Sequence, residues 1–277
     1  MKRILVVDDD RPLRHVLGRL LETAGCSVVS AADGVEALEQ IERQKFDLVL
    51  LDIGLPRMSG LEVLRRLREK EGRPKIIVMT ADDTPETVLS AVRDYAYRYV
   101  GKPFPPSTVV ELVQSALSAP QAPPPIEVLS ARPEWVELLV PCDLESAERI
   151  QSFLEHLKSD LPDHVRESVG RAFRELLLNA VEWGGKLDPN RRVRIAYLRA
   201  RRMLMYRIAD PGDGFRMEAL EHAAVNNPQG QPFQHAQVRE EKGLRPGGFG
   251  IMMVKAIVDE LIYNETRNEV VFVKYLD

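Results

Sequence analysis

The chain has 277 residues, 44 % of them hydrophobic and 29 % charged, with a formal net charge of −4. At about 150 residues per domain, this length predicts two domains, each with enough apolar residues for its own core. The acidic balance argues against a nucleic-acid protein held by bulk positive charge, and no stretch reaches the ~18 consecutive apolar residues of a membrane span. Asp8, Asp9 and Asp10 follow the short apolar run Ile4-Leu-Val-Val7, which is too brief for a secretory signal. Cys26 and Cys142 lie far apart, with neither metal-ligand nor redox spacing, so disulfide-framed and zinc-binding classes are excluded. The expectation is a cytoplasmic protein without membrane attachment.

In chain order, residues 4–7, 27–30, 48–51, 76–79 and 97–100 read as short strands. Most are almost wholly apolar or β-branched, as strands covered on both faces are. Helical patterns lie between them at 12–24, 34–43, 60–70, 85–93 and 106–117. This alternation predicts an α/β fold, a doubly wound five-stranded parallel sheet. The prolines of Ser118-Ala-Pro-Gln-Ala-Pro-Pro-Pro-Ile126 can continue neither a helix nor a central strand and favour a semi-rigid spacer. The division expected is a first domain at 1–118, a Pro-rich linker at 119–130 and a second domain at 131–277. Within the second, a strand at 135–140 precedes helices at 144–158 and 164–183. A strand pair follows at 192–200 and 203–209, then a Gly-rich polar stretch at 211–250. A helix at 251–261 and a strand at 270–275 complete an α+β two-layer sandwich.

In an open parallel sheet, ligands collect at the carboxyl ends of the strands. Asp8 and Asp9 follow the first strand, Asp52 the third, Thr80 the fourth and Lys102 the fifth. Clustered carboxylates repel one another unless a cation sits among them, and oxygen ligands with room for water suit Mg²⁺. A lysine and a hydroxyl at the same rim complement a phosphoryl group, which is the equipment for moving phosphate onto a carboxylate. These residues resemble the receiver domain of two-component response regulators, through Ile4-Leu-Val-Val-Asp-Asp-Asp10, Asp47-Leu-Val-Leu-Leu-Asp-Ile-Gly-Leu-Pro56, Ile76-Ile-Val-Met-Thr-Ala81 and Tyr99-Val-Gly-Lys-Pro-Phe104. The resemblance implies that Asp52 is the phosphoacceptor. It makes Asp8 and Asp9, with Asp52 and the Gly54 carbonyl, the Mg²⁺ site. Thr80 and Lys102 would bind the phosphoryl group, Tyr99 would be the aromatic switch, and the Lys102–Pro103 bond would be cis. Two positions depart from the family pattern. Gly54 lacks the side chain many relatives carry, and Asp94-Tyr-Ala-Tyr-Arg-Tyr99 brings tyrosines that read equally as a contact face or as packing against the last helix.

Further on, Glu175 and Asn179 stand one helical turn apart on one face. On its own, such a glutamate reads as an ion-pair partner more readily than as a base. Asp210-Pro-Gly-Asp-Gly-Phe215 places glycines where a ligand or a tight turn needs close backbone approach. Arg245-Pro-Gly-Gly-Phe-Gly-Ile251 opens a helix, where free N–H groups and the positive helix end favour an anion. In this order the three elements resemble the ATP-binding domain shared by gyrase, Hsp90, histidine kinases and MutL, with the anti-sigma-factor serine kinases most similar. The resemblance implies that Asn179 holds Mg²⁺ on the ATP phosphates and that Asp210 accepts from the adenine amino group. Gly212 and Gly214 would admit base and ribose, and Gly247, Gly248 and Gly250 would wrap the phosphates. Glu175 would be the general base, and residues 215–246 the ATP lid. Trp183 stands where many relatives carry His, and Val271 takes the place of a hydroxyl in the final strand. The arginines at 191, 192, 194, 199, 201 and 202 read as a solvated sheet edge guarded by charge.

The function implied is a phosphorelay response regulator in which Asp52 phosphorylation controls a C-terminal ATP-binding, serine/threonine-kinase-like anti-sigma module by partner switching. The alternative is a nucleotide-binding docking module without catalysis. Mg²⁺ and ATP are the cofactors expected. The partners expected are a sensor histidine kinase or phosphotransfer protein, and a sigma factor or its antagonist. Direct DNA binding is not expected, because no helix-turn-helix region is visible. A homodimer is compatible with the pattern.

Overall fold

A computed structural model describes the chain except for residues 69, 71, 83, 120–123, 133, 158–160, 217–223, 225, 226, 228–230, 232, 242–247 and 277. It divides into two compact units, Met1–Pro125 with Ser152–Ser159 and Ile126–Gln151 with Asp160–Asp277.

The first unit is built on β1 (Arg3–Val7), β2 (Ser27–Ala31), β3 (Leu48–Asp52), β4 (Lys75–Thr80) and β5 (Arg98–Gly101). They pair in parallel in the order β2-β1-β3-β4-β5. Every residue of β3 and β4 is buried, which is why those strands read as unbroken apolar runs. Between and after the strands lie α1 (Arg11–Thr23), α2 (Gly34–Arg43), α3 (Gly60–Leu67), α4 (Pro85–Arg93) and α5 (Pro106–Ser118). Their starts are written in the sequence. Asp10, Asp33 and Ser59 each accept backbone N–H groups of the first helical turn, satisfying donors the helix itself leaves unpaired. The tyrosines at the β5 start are packing: Tyr97 and Tyr99 are buried, and Tyr97 belongs to the core with Val109, Val113 and Ala116 of α5. The Lys102–Pro103 peptide is cis.

The second sheet is antiparallel, in the order β10-β11-β9-β8-β7-β6, made of β6 (Glu127–Arg132), β7 (Trp135–Pro141), β8 (Arg192–Ala200), β9 (Met203–Ala209), β10 (Glu260–Tyr263) and β11 (Glu269–Tyr275). Along the chain, α6 (Leu144–His156) and α7 (Asp163–Asn179) follow β7, and α8 (Gln234–Glu241) and α9 (Gly250–Ile257) follow β9. The core forms where α7 lays Val169, Ala172, Phe173, Leu176 and Leu177 on the sheet. Phe173 meets Tyr206 at 5.0 Å between ring centroids, and Tyr206 stacks on Phe272 at 4.9 Å. Among the described residues, no helix is long and apolar enough to cross a membrane.

Three local expectations change here. Residues 127–130, read as linker, open β6. The helix read at 251–261 ends at Ile257, and Glu260–Tyr263 turns back as β10, a strand too short to announce itself by alternation. The arginine-rich β8 lies inside the sheet, not at its edge, because β6 and β7 cover its outer side. Its arginines pair across strands: Arg194 Nε lies 2.7 Å from Glu137 and Arg192 Nε 3.8 Å from Glu127.

Candidate functional sites

At the carboxyl edge of the parallel sheet, carboxylate oxygens of Asp8, Asp9 and Asp52 lie within 4.8 Å of one another. Asp8 is wholly buried, Asp52 nearly so, and Asp9 is exposed. Lys102 Nζ donates to Asp8 Oδ2 and Asp52 Oδ2, both at 2.7 Å. Asp8 Oδ1 accepts from the Asp10 amide at 3.0 Å, and Asp52 Oδ1 from the Gly54 amide at 3.2 Å. Burial pushes the Asp8 carboxyl up, and its bond to Lys102 only partly opposes this. Burial alone would lower Lys102, but its bonds to Asp52 and Asp8 overcome that and raise it. Three acids against one ammonium leave surplus negative charge in an oxygen-only cluster, which fits Mg²⁺.

Around this cluster, the buried Thr80 accepts from the Asp82 amide at 3.1 Å, and the Tyr99 hydroxyl donates to the Asp82 carbonyl. At Gly54, a Cβ would stand 4.0 Å from Asp52 Oδ1, so the approach to the carboxylate is open on that side. Two supports are not visible in the sequence. A Cβ at Gly60 would lie 2.0 Å from the Asp52 carbonyl, so only glycine lets α3 begin against the acid's own backbone. Arg57, at φ 62°, pairs with Asp33 at the start of α2 and ties down the loop after β3.

In the second unit, Glu175, Asn179, Asp210, Gly212, Gly214, Gly248 and Gly250 line one cavity of about 560 Å³. That is within the roughly 300–1,000 Å³ of small-molecule sites. Its base is a clamp between two loops. Asp210 Oδ1 accepts from the Gly212 amide at 2.8 Å, Asn268 Nδ2 donates to the Gly212 carbonyl at 3.0 Å, and the Asp210 amide donates to the Asn268 carbonyl at 2.8 Å. Gly214, at φ 80°, admits no side chain, because a Cβ would meet the Thr266 carbonyl at 1.7 Å. Burial raises the Asp210 carboxyl, the Gly212 amide opposes that, and the Arg191 charge opposes it less strongly. Arg191 also donates to the Pro211 carbonyl, so this arginine belongs to the cavity.

Gly247 and most of 215–246 lie outside the described residues, so their expected phosphate and lid roles have no described geometry. Gly250 faces Glu175: a Cβ there would stand 2.0 Å from Glu175 Oε1, placing the carboxylate at the N-terminus of α9, where negative charge is favoured. Val270, not Val271, lines the cavity, because residues alternate faces along β11. The Cys142 thiol is buried and pushed up to about 11, a structural thiol and not a reactive one.

Comparison with known proteins finds two matching domains. Residues 4–114 match the response regulator receiver domain and residues 140–274 the histidine kinase-like ATPase domain. The response regulator MprA of Mycobacterium leprae (strain TN) is 45 % identical over 102 residues, covering 37 % of this chain and 45 % of that protein. The chain thus spans under half the length of MprA. The DNA-binding response regulator MtrA of Mycolicibacterium smegmatis is 35 % identical over 204 residues, covering 72 % of this chain and 87 % of that protein. Among solved structures, the response regulator protein TrrA of Thermotoga maritima, in complex with Mg(2+)-BeF, shares 40 % identity over 42 % of this chain and 99 % of that one, with a TM-score of 0.39. Chemotaxis response regulator CheY4 of Vibrio cholerae shares 30 % identity over 42 % of this chain and 98 % of that one, with a TM-score of 0.40. By its similarity over most of the length of MtrA, and by the order of its two matched domains, the chain belongs to the response regulators, with a receiver domain followed by a histidine kinase-like ATPase domain.

Proposed function

We propose that this response regulator is a phosphorylation-controlled partner switch. A receiver at 1–118 and a Pro-rich linker precede an ATP-binding anti-sigma-type module that begins with β6 at Glu127. A sensor histidine kinase or phosphotransfer protein supplies the phosphoryl group. One Asp52 oxygen attacks the donor's phosphorus while the bond from phosphorus to the donor breaks. Lys102, already on Asp8 and Asp52, stays as counter-charge to the transferred group, and the Thr80 hydroxyl donates to it. Asp8, Asp9, Asp52 and the Gly54 carbonyl would hold Mg²⁺, which would supply Lewis-acid charge for that transfer. Tyr99 is the side chain that reads the change.

In the second domain, Asp210 accepts from the adenine amino group, and Gly212 and Gly214 admit the base and ribose. Asn179 holds the metal of ATP–Mg²⁺, and Gly248 and Gly250 face the phosphates. Glu175 takes the proton from a Ser or Thr hydroxyl of an antagonist protein as that oxygen bonds to the γ-phosphorus of ATP and ADP leaves. The output acts in the cytoplasm on a sigma factor or its antagonist through protein contact, not on DNA. The observation that carries this reading is the single cavity that brings Glu175, Asn179, Asp210 and the glycines together.

The contact of Glu175 with Gly250 favours a second reading, in which the glutamate fastens α9 and the domain binds nucleotide as a docking module. Calorimetry on the full chain tests the shared part. ATP–Mg²⁺ should bind in the micromolar range, about −7 to −8 kcal/mol, and Asp210→Asn should weaken it. No heat of binding would remove both readings. Glu175→Ala separates them. A base should lose about 10²–10⁴-fold in phosphotransfer at unchanged ATP affinity, whereas a fastener should lose affinity and melting temperature together.

A further inference from the structure

We infer that the open face of the second sheet, at the end that carries the β6–β7 and β8–β9 turns, docks an acidic segment of a partner protein, its carboxylates set around apolar anchor side chains. This surface lies apart from the nucleotide cavity. Along β9, at about 3.3 Å per residue, Met203 stands roughly 20 Å from Ala209, the residue before Asp210.

Register fixes which side chains this face carries. Along β7 and β9, buried and half-buried residues alternate. The buried set includes Tyr206, whose ring meets Phe173 of α7, so the half-buried set points away from that helix. Directly paired residues share a face. Trp135, Leu198, Met205 and Val273 therefore form one row across β7, β8, β9 and β11. Ala200, Met203 and Tyr275 form the next row toward the turns, with Tyr275 51 % exposed. Trp, Tyr and Met side chains on a flat, partly exposed strip match the composition of a protein interface centre.

The charge beside this strip chooses the partner. Nearer the cavity the same face neutralises its own ions: Arg194 bonds Glu137 and Arg207 bonds Glu269, each at 2.7 Å. At the turns that pairing stops. Arg132 ends β6, and Arg201 and Arg202 make the β8–β9 turn. All three are exposed and make no ion pair among the described residues. The acid of these turns is Glu134, and Glu260, on a strand two places beyond β9, is engaged by the Tyr275 hydroxyl. Guanidinium forks pair bidentately with carboxylates, and a cationic rim around an apolar strip complements an acidic segment with apolar anchors. A chain of net charge −4 with three such arginines falls short of the longer cationic track that a nucleic acid needs and of the four to eight cations of an anionic-lipid site.

The test uses the full chain and, as probe, a displayed library of random short peptides. Wild type should select peptides in which Asp or Glu flanks Leu, Phe or Trp. The Kd of those peptides should rise at least about tenfold for the double variant Arg201→Glu/Arg202→Glu, at unchanged melting temperature. Selection without acidic enrichment, or equal Kd for the double variant and wild type, overturns the inference. A fall in melting temperature of the double variant assigns the arginines to the fold and also overturns it. Two further measurements set aside other occupants. Binding of wild type to phosphatidylserine vesicles that the double variant loses assigns the surface to a membrane. A wild-type dimer in sedimentation that the double variant dissociates assigns it to a second copy of the chain. Either result overturns the acidic-partner assignment.

Discussion

Asp52 and Asp210 are the acids on which the two sites turn. Asp52 accepts from Lys102 and shares its cluster with Asp8 and Asp9. Asp52→Asn should therefore abolish stable labelling by an acyl phosphate with Mg²⁺, and Asp8→Asn or Asp9→Asn should weaken it by raising the Mg²⁺ requirement. Radiolabelled phosphodonor at graded Mg²⁺ checks this, and labelling of Asp52→Asn at the wild-type level would remove the assignment. Asp210 is raised by burial. Accepting from an amino group needs the ionised form, and a raised carboxyl takes its proton at higher pH than an ordinary aspartate. ATP affinity should accordingly fall as the pH is lowered from neutral into the carboxylate range, beginning at a higher pH than an ordinary aspartate would give. Arg191→Ala should move that decline to higher pH, because its charge is one of the two things opposing the shift. Calorimetry across the range reads both, and a flat profile would contradict the role of Asp210.

At the level of loops and helices, glycine substitutions separate sites of close approach from ordinary helix positions. Gly214→Ala forces a Cβ into the Thr266 carbonyl at a backbone angle that L-residues avoid, so it should cost at least about 1–3 kcal/mol and loosen the Asp210–Asn268 clamp. Gly18→Ala, inside α1, meets only Val28 Cγ1 at 3.9 Å and should stabilise by about 0.5–1 kcal/mol. Denaturant melts of the two variants should move in opposite directions, and movement in the same direction would count against this packing. The same elements show what the sequence could disclose. Asp8, Asp52, Thr80 and Lys102 were legible because each closes a short apolar run, so local pattern and site position coincide. The glycine motifs were legible for the same reason. Arg191 and Asn268 were not, because what they touch comes from distant chain, and Gly60 was not, because only the fold brings it against the Asp52 backbone. The lining by Val270 was not legible either, because one residue of register reverses the face of a strand. The strand β6 was hidden beside prolines, and without it the arginines of β8 read as an edge.

For the whole molecule, one chain carries a receiver domain and a histidine kinase-like ATPase domain, and the proposal is that the first controls the second. Control of this kind is a coupling free energy between two sites, typically about 1–3 kcal/mol, or roughly 5- to 150-fold in affinity, and it is reciprocal. The measurement that tests it most directly is ATP–Mg²⁺ affinity of the full chain by calorimetry, with and without beryllofluoride, in wild type and Asp52→Asn. The account predicts at least about a fivefold change in Kd on adding beryllofluoride to wild type, and no change in Asp52→Asn. An identical Kd in wild type with and without beryllofluoride, with the receiver shown to be saturated, would contradict it.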